Sequence, residues 1–183
     1  MIFLSAGHHA KHPGTKDPGA INKDGVQEGI LTIEFRDLVS RQLTLLGVPH
    51  KLDSDAETLS QYVNRIQTGD GSVVCEYHFN AGPPTATGTE TLVEVDADRL
   101  DLACAKELSA TTASILGIRN RGVLSEAQTR HKKLALMSEK GIVVLHEIGF
   151  ITNDDDLKRY NAKKNELARA HALVLLKYEQ IIP

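Results

Sequence analysis

Short apolar runs, too brief for helices, recur from end to end of this chain between longer segments with helical spacing, and that alternation narrows the choice of fold. Residues 1 to 6, 73 to 78 and 141 to 148 read as strands, and 49 to 53 and 90 to 95 as further ones. Between them, residues 28 to 46 carry apolar side chains at 31, 35, 38, 39, 45 and 46, the spacing of a helix, closed by Gly47 and Pro49. Residues 59 to 68 and 98 to 116 read as helices ended by Gly69 and Gly117, and 154 to 160 and 161 to 181 as two closing helices. Strands alternating with helices predict an α/β fold around one sheet. A length of 183 residues supports one domain with a real core and is short for two, so residues 1 to 183 are expected to form a single domain.

Within the last strand, Val143-Val144-Leu145-His146-Glu147-Ile148-Gly149 carries a carboxylate out of an apolar run. A buried charge is costly unless something pairs with it. Candidate partners for a metal lie far upstream: a histidine in the Gly7-His8-His9 loop, Glu28 at the start of a long helix, and His78 at the end of another apolar strand. Two histidines and one glutamate, with a second glutamate apart from them, form the ligand set of a catalytic zinc site and its general base. Strand alternation puts Glu147 on the side of Leu145 and Val143 and turns His146 the other way, toward a histidine hydrogen-bonded beneath a helix. Glu76 and His78 share a face, so Glu76 could orient that histidine or compete as a fourth ligand.

Six motifs in order carry a resemblance: Ala6-Gly7-His8, Lys16-Asp17-Pro18-Gly19-Ala20, Gly25-Val26-Gln27-Glu28, His78-Phe79-Asn80-Ala81, Gly88-Thr89-Glu90 and Glu147-Ile148-Gly149-Phe150-Ile151-Thr152-Asn153. Over essentially the whole chain this order resembles the zinc-dependent N-acetylmuramoyl-L-alanine amidases of the amidase-3 type. The resemblance implies a mixed, roughly six-stranded sheet with helices on both faces, Zn2+ on His8, Glu28 and His78, and Glu147 as the base. It implies cleavage of the amide between N-acetylmuramic acid and L-alanine in peptidoglycan. Glu90 matches a recurrent glutamate near the groove and Asn80 a turn residue, and His9 would line the groove or support a ligand. Glu76 stands where the family often has serine. The alternatives are an inactive peptidoglycan-binding module and a zinc peptidase that cuts within the stem peptide. Residues 120 to 123 match a stretch near the family's groove, and the segment 120 to 130 is expected to be irregular and exposed.

A net charge of -3 with scattered lysines and arginines gives no footprint for nucleic acid. No apolar run approaches the roughly 20 residues of a membrane span, and no segment signals an obligate protein partner. Cys75 and Cys104 match no metal spacing and read as buried thiols. Asp154-Asp155-Asp156 lacks the spaced oxygens of a calcium loop and reads as a helix start. His12, His50, His131 and His171 have no motif around them. The N-terminus has no basic region, long apolar stretch or cleavage site. An enzyme acting on the wall, in the periplasm or outside the cell, would then be delivered by phage-type release or have lost a signal; the first is preferred.

Overall fold

The computed structural model describes residues 1–8, 17–130 and 132–181. Six strands form one sheet: β1 (Ile2–Ala6), β2 (His50–Leu52), β3 (Val73–Asn80), β4 (Thr89–Val93), β5 (Asn120–Ser125) and β6 (Ile142–Phe150). Their order is β2-β1-β3-β6-β4-β5. Every neighbouring pair is parallel except β4 and β6. Four helices accompany them: α1 (Glu28–Leu45), α2 (Leu59–Arg65), α3 (Arg99–Leu116) and α4 (Asp154–Ile181). The mixed six-stranded sheet agrees with the sequence expectation, and no helix among the described residues is long and apolar enough to cross a membrane.

The two faces of the sheet are covered unequally. Alternate residues of the central strands, among them Leu4, Cys75, Tyr77, Val144 and Ile148, pack under α1, α3 and α4 in the main core. The intervening residues Phe3, Val74, Leu92, Val143 and Leu145 face a smaller cluster built from α2 and a 3₁₀ turn at Ala135–Ser138. Because a strand alternates its faces, this thinner side also receives Glu76, His78, Glu90 and Glu147. The cover there is short, so it leaves room for a cleft. Local signals set the helix ends: Thr58 and Asp98 cap α2 and α3 in reciprocal capping boxes, and Gly117 closes α3 at φ 67.

Two expectations are corrected. Residues 154 to 181 form one helix, not two. No glycine or proline interrupts this stretch, and Leu157, Tyr160, Leu167, Ala168, His171, Leu175 and Tyr178 continue a single buried stripe. Each large apolar side chain in it contributes about 1.5–3 kcal/mol, against a few tenths lost by placing Asn161 in a helix. Residues 120 to 125, expected to be irregular, form the edge strand β5. A register shift against β4 and Gly122 at φ 89 obscure the strand pattern in the sequence.

Candidate metal centre

His8, Glu28 and His78 converge at the C-terminal ends of β1 and β3 and at the first turn of α1, with one ligand atom from each within 4.8 Å of the others. Chain segments distant in sequence hold them there. The N–H of Ala6 donates to Asp53 Oδ2 at 3.1 Å, and Arg36 Nη1 holds the other oxygen of Asp53 at 2.6 Å. Thr32 Oγ1 donates to the carbonyl of Gly7 at 2.6 Å. Together these fix the end of β1, where His8 adopts φ 66. Gly7 lies against the ring of His78 so closely that a Cβ would sit 2.2 Å from it. Glu28 Oε2 accepts the N–H of Ala20 at 2.9 Å, and Oε1 accepts that of Phe79 at 3.0 Å.

Each imidazole turns one nitrogen to Glu28 and the other to a separate carboxylate. His8 Nε2 lies 3.3 Å from Glu28 Oε2, with Nδ1 2.9 Å from Asp17 Oδ1. His78 Nδ1 lies 3.0 Å from Glu28 Oε1, with Nε2 3.0 Å from Glu76 Oε1. Ser5 Oγ donates to the remaining oxygen of Glu76 at 2.8 Å. In a tetrahedral site with bonds near 2.0–2.1 Å the ligand atoms stand about 3.4 Å apart; here the two histidines approach different oxygens of Glu28 and one donor atom from each residue lies within 4.8 Å of the others, a set that a zinc ion would draw together. A carboxylate on the outer nitrogen of a ligating histidine is the arrangement that fixes its ring and raises its basicity.

The charges of the site are coupled through His78. Burial would raise the Glu28 and Glu76 carboxyls, but hydrogen bonds to His78, the nearby imidazole charges and donors such as Ala20 N–H and Ser5 Oγ–H bring both below the ordinary range. Burial would lower His78; its bonds to Glu28 and Glu76 outweigh that and raise it well above the ordinary value. Glu147, on β6 opposite His78, is pushed up to about 8, first by burial and then by Glu28, Glu90 and Glu76, with His78 opposing. Its Oε2 is buried without a hydrogen-bond partner among the described residues.

These groups line a cleft of about 410 Å3, whose polar residues include His8, Glu28, Glu76, His78, Asn80 and Glu147 and whose apolar residues include Leu59, Leu92, Leu134, Leu136 and Leu145. The sequence gives no sign of this apolar lining, because its leucines come from α2, β4, β6 and the 3₁₀ segment. Asn80 bonds the N–H of Ala81 through Oδ1 and donates to Glu90 Oε1 at 2.6 Å. Glu90 lies one strand beyond Glu147, paired with Arg121. His9, together with Lys16, His12 and His131, lies outside the described residues. His146 is fully buried on the opposite face, its Nδ1 2.7 Å from Thr91 Oγ1. His50 bonds Ser40 and the Val48 carbonyl away from the cleft. Asn153 Oδ1 accepts the N–H groups of Asp155 and Asp156, and Asp156 ties Thr87, Gly88 and Phe150 together, as a helix start requires. Cys75 and Cys104 are buried and free. Sequence reasoning gave no roles to Ser5, Asp17 and Arg121; for the first two, an imidazole's need for an outer acceptor was the available signal.

Residues 2–177 match the family model described as N-acetylmuramoyl-L-alanine amidase. An uncharacterised Bacillus subtilis protein, YqiI, is 27% identical over 177 residues, covering 94% of this chain and 81% of that protein. Among solved structures, the N-acetylmuramoyl-L-alanine amidase from Clostridium difficile 630 superposes with a TM-score of 0.80 at 22% identity, over 100% of this chain and 97% of that one. The amidase AmiC2 of Nostoc punctiforme superposes with a TM-score of 0.77 at 23% identity, over 98% and 97%. At these identities the two structures speak to the shared fold.

Proposed function

This chain belongs to the N-acetylmuramoyl-L-alanine amidase family, and from that premise we propose that it is a zinc-dependent hydrolase cleaving the amide between the lactyl group of N-acetylmuramic acid and L-alanine in peptidoglycan. Family membership supports the coarser statement, an amidase of the bacterial cell wall. Residues 1 to 183 would form one catalytic domain, working on the wall in the periplasm or outside the cell.

The observation that carries the reading is Glu147. Its Oε2 is buried and unpartnered in the same cleft as the donor set of His8, Glu28 and His78. Those three would hold Zn2+ and leave a coordination position open. The ion, when bound, makes water acidic enough to attack at neutral pH and polarises the scissile carbonyl. Glu147 would accept the proton of the attacking water and return it to the departing amine of L-alanine. Asp17 and Glu76 would keep the two imidazoles turned toward Glu28, so Glu76 serves as an orienting group.

Product analysis on purified peptidoglycan tests the whole reading, with mass spectrometry and labelling of new amino termini. New N-terminal L-alanine that vanishes on chelation and returns with zinc is the expected result. Cuts within the stem peptide would make the protein a zinc peptidase. Retention of the wall without cleavage would make it a binding module.

A further inference from the structure

Arg121 occupies a built seat. Strand β5 pairs with β4 through a bulge: Thr89 faces Asn120 and Glu90 faces Gly122, which makes Arg121 the extra residue. Bulges are uncommon in parallel pairs and re-aim a side chain; here Gly122, at φ 89, takes a conformation that suits glycine. Arg121 Nε donates to Glu90 Oε2, and its guanidinium lies 5.1 Å from the centre of the Phe150 ring. Its stem passes over Gly88, where a Cβ would come within 3.0 Å of Arg121 Cγ. Glu90 is itself 6% exposed and is held from its other oxygen by Asn80 Nδ2 at 2.6 Å, so the anchor is fixed from two sides.

The seat adjoins the reaction site. Glu90 stands directly opposite Glu147 across the β4–β6 pair, and both face the side of Leu92 and Leu145. Neither Nη atom of Arg121 has a hydrogen-bond partner among the described residues, and the side chain is 34% exposed. A guanidinium held by Nε and by its face presents its terminal edge, which suits two parallel bonds to a carboxylate.

We propose that Arg121 is a specificity residue that binds a carboxylate on the peptide half of the substrate. The inference rests on the amidase reading. The metal-site donors come from β1, α1 and β3, on one side of Glu147, and Arg121 comes from β5, on the other. In the amide to be cleaved the sugar half is uncharged, because its lactyl carboxyl is tied up in the bond, whereas the peptide half keeps free carboxylates. Charge therefore places the peptide's carboxylates toward the β4–β5 side.

The test uses a fragment of the peptide half that cannot be cleaved at this bond, L-alanyl-D-glutamate, and its diamide, each titrated by calorimetry into zinc-loaded protein. Wild type is expected to bind the acid at least about tenfold more tightly than the diamide, as a charge-assisted paired contact implies. R121Q should bind both alike, and R121K should recover part of the preference. Because R121Q leaves Glu90 without its charged partner, the E90Q/R121Q double variant provides a second, charge-balanced background in which the preference should also be absent. A preference retained in R121Q and in the double variant, or an equal loss of affinity for both ligands, would overturn the proposal and leave Arg121 as a counter-ion for Glu90. Release of N-terminal L-alanine from wall fragments is followed separately. Cleavage without acid preference defeats this proposal alone, and acid preference without cleavage defeats the amidase reading alone.

Discussion

At the scale of single residues, His146 and Glu147 are neighbours in sequence and have opposite fates. His146 is fully buried in the core, with Thr91 Oγ1 2.7 Å from Nδ1 and Thr112 Oγ1 2.9 Å from Nε2. Burial, with His171 beside it, lowers its pKa well below the ordinary value, so it stays neutral. Glu147 faces the cleft and keeps an oxygen unpartnered. Exchange of Glu147, the proposed base, would remove the proton transfer but leave the proposed ligands in place. Glu147→Ala is therefore expected to bind zinc as wild type does while turnover falls by about 10²–10⁴-fold. His8→Ala and His78→Ala should lose metal and turnover together. Metal content and rate measured on the same preparations check this, and near-normal turnover by Glu147→Ala would remove it from the role of base.

At the scale of elements, the strands and helices were legible wherever one period ran unbroken. The split between His146 and Glu147 followed from the two-residue period of β6, and Glu28 fell in the first turn of α1 as expected. Legibility failed at β5, where a bulge breaks the period, and within α4, where a polar Asn161 resembles a boundary that packing overrides. Ser5 and Asp17 could not be assigned, since their roles depend on which residues meet across the fold. Gly7 shows how an element's end serves the site: its lack of a side chain lets the His78 ring lie against β1. In Gly7→Ala the added Cβ, 2.2 Å from that ring, must displace it. This variant should keep its far-ultraviolet dichroism and bind zinc at least about tenfold more weakly, the effect of disturbing a ligand's support. Competition with a chromophoric chelator measures it, and unchanged affinity would mean that His78 does not hold the ion from this position.

For the molecule as a whole, the unequal covering of the sheet separates stability from chemistry. Three helices seal one face, and a short helix with a 3₁₀ turn leaves the cleft on the other. The sealed face contains its own titratable pair. His171 on α4 lies 4.9 Å from His146, ring centre to ring centre, against Phe35 of α1 and Tyr77 of β3, and Thr112 of α3 bonds its Nε2 at 2.8 Å. Burial pushes His171 down to about 3 from 6.5, and Tyr77 is raised well above its ordinary value, so of these neighbours only His146 can titrate with it in the acid range. Between pH 6.5 and about 3 the unfolded chain binds a proton at residue 171 that the folded protein refuses. The stability this position contributes is thus complete above pH 6.5 and declines as the pH falls toward 3, by about 1.4 kcal/mol per unit. His146 acts in the same direction. Urea unfolding of wild type and His171→Gln at pH 7.5 and 4.5, both with chelator so that metal release does not contribute, isolates the effect. Wild type should lose about 2–3 kcal/mol more than the variant over that interval. Equal losses would mean that the core admits the imidazolium, and acid sensitivity would then have to arise among the carboxylates of the cleft.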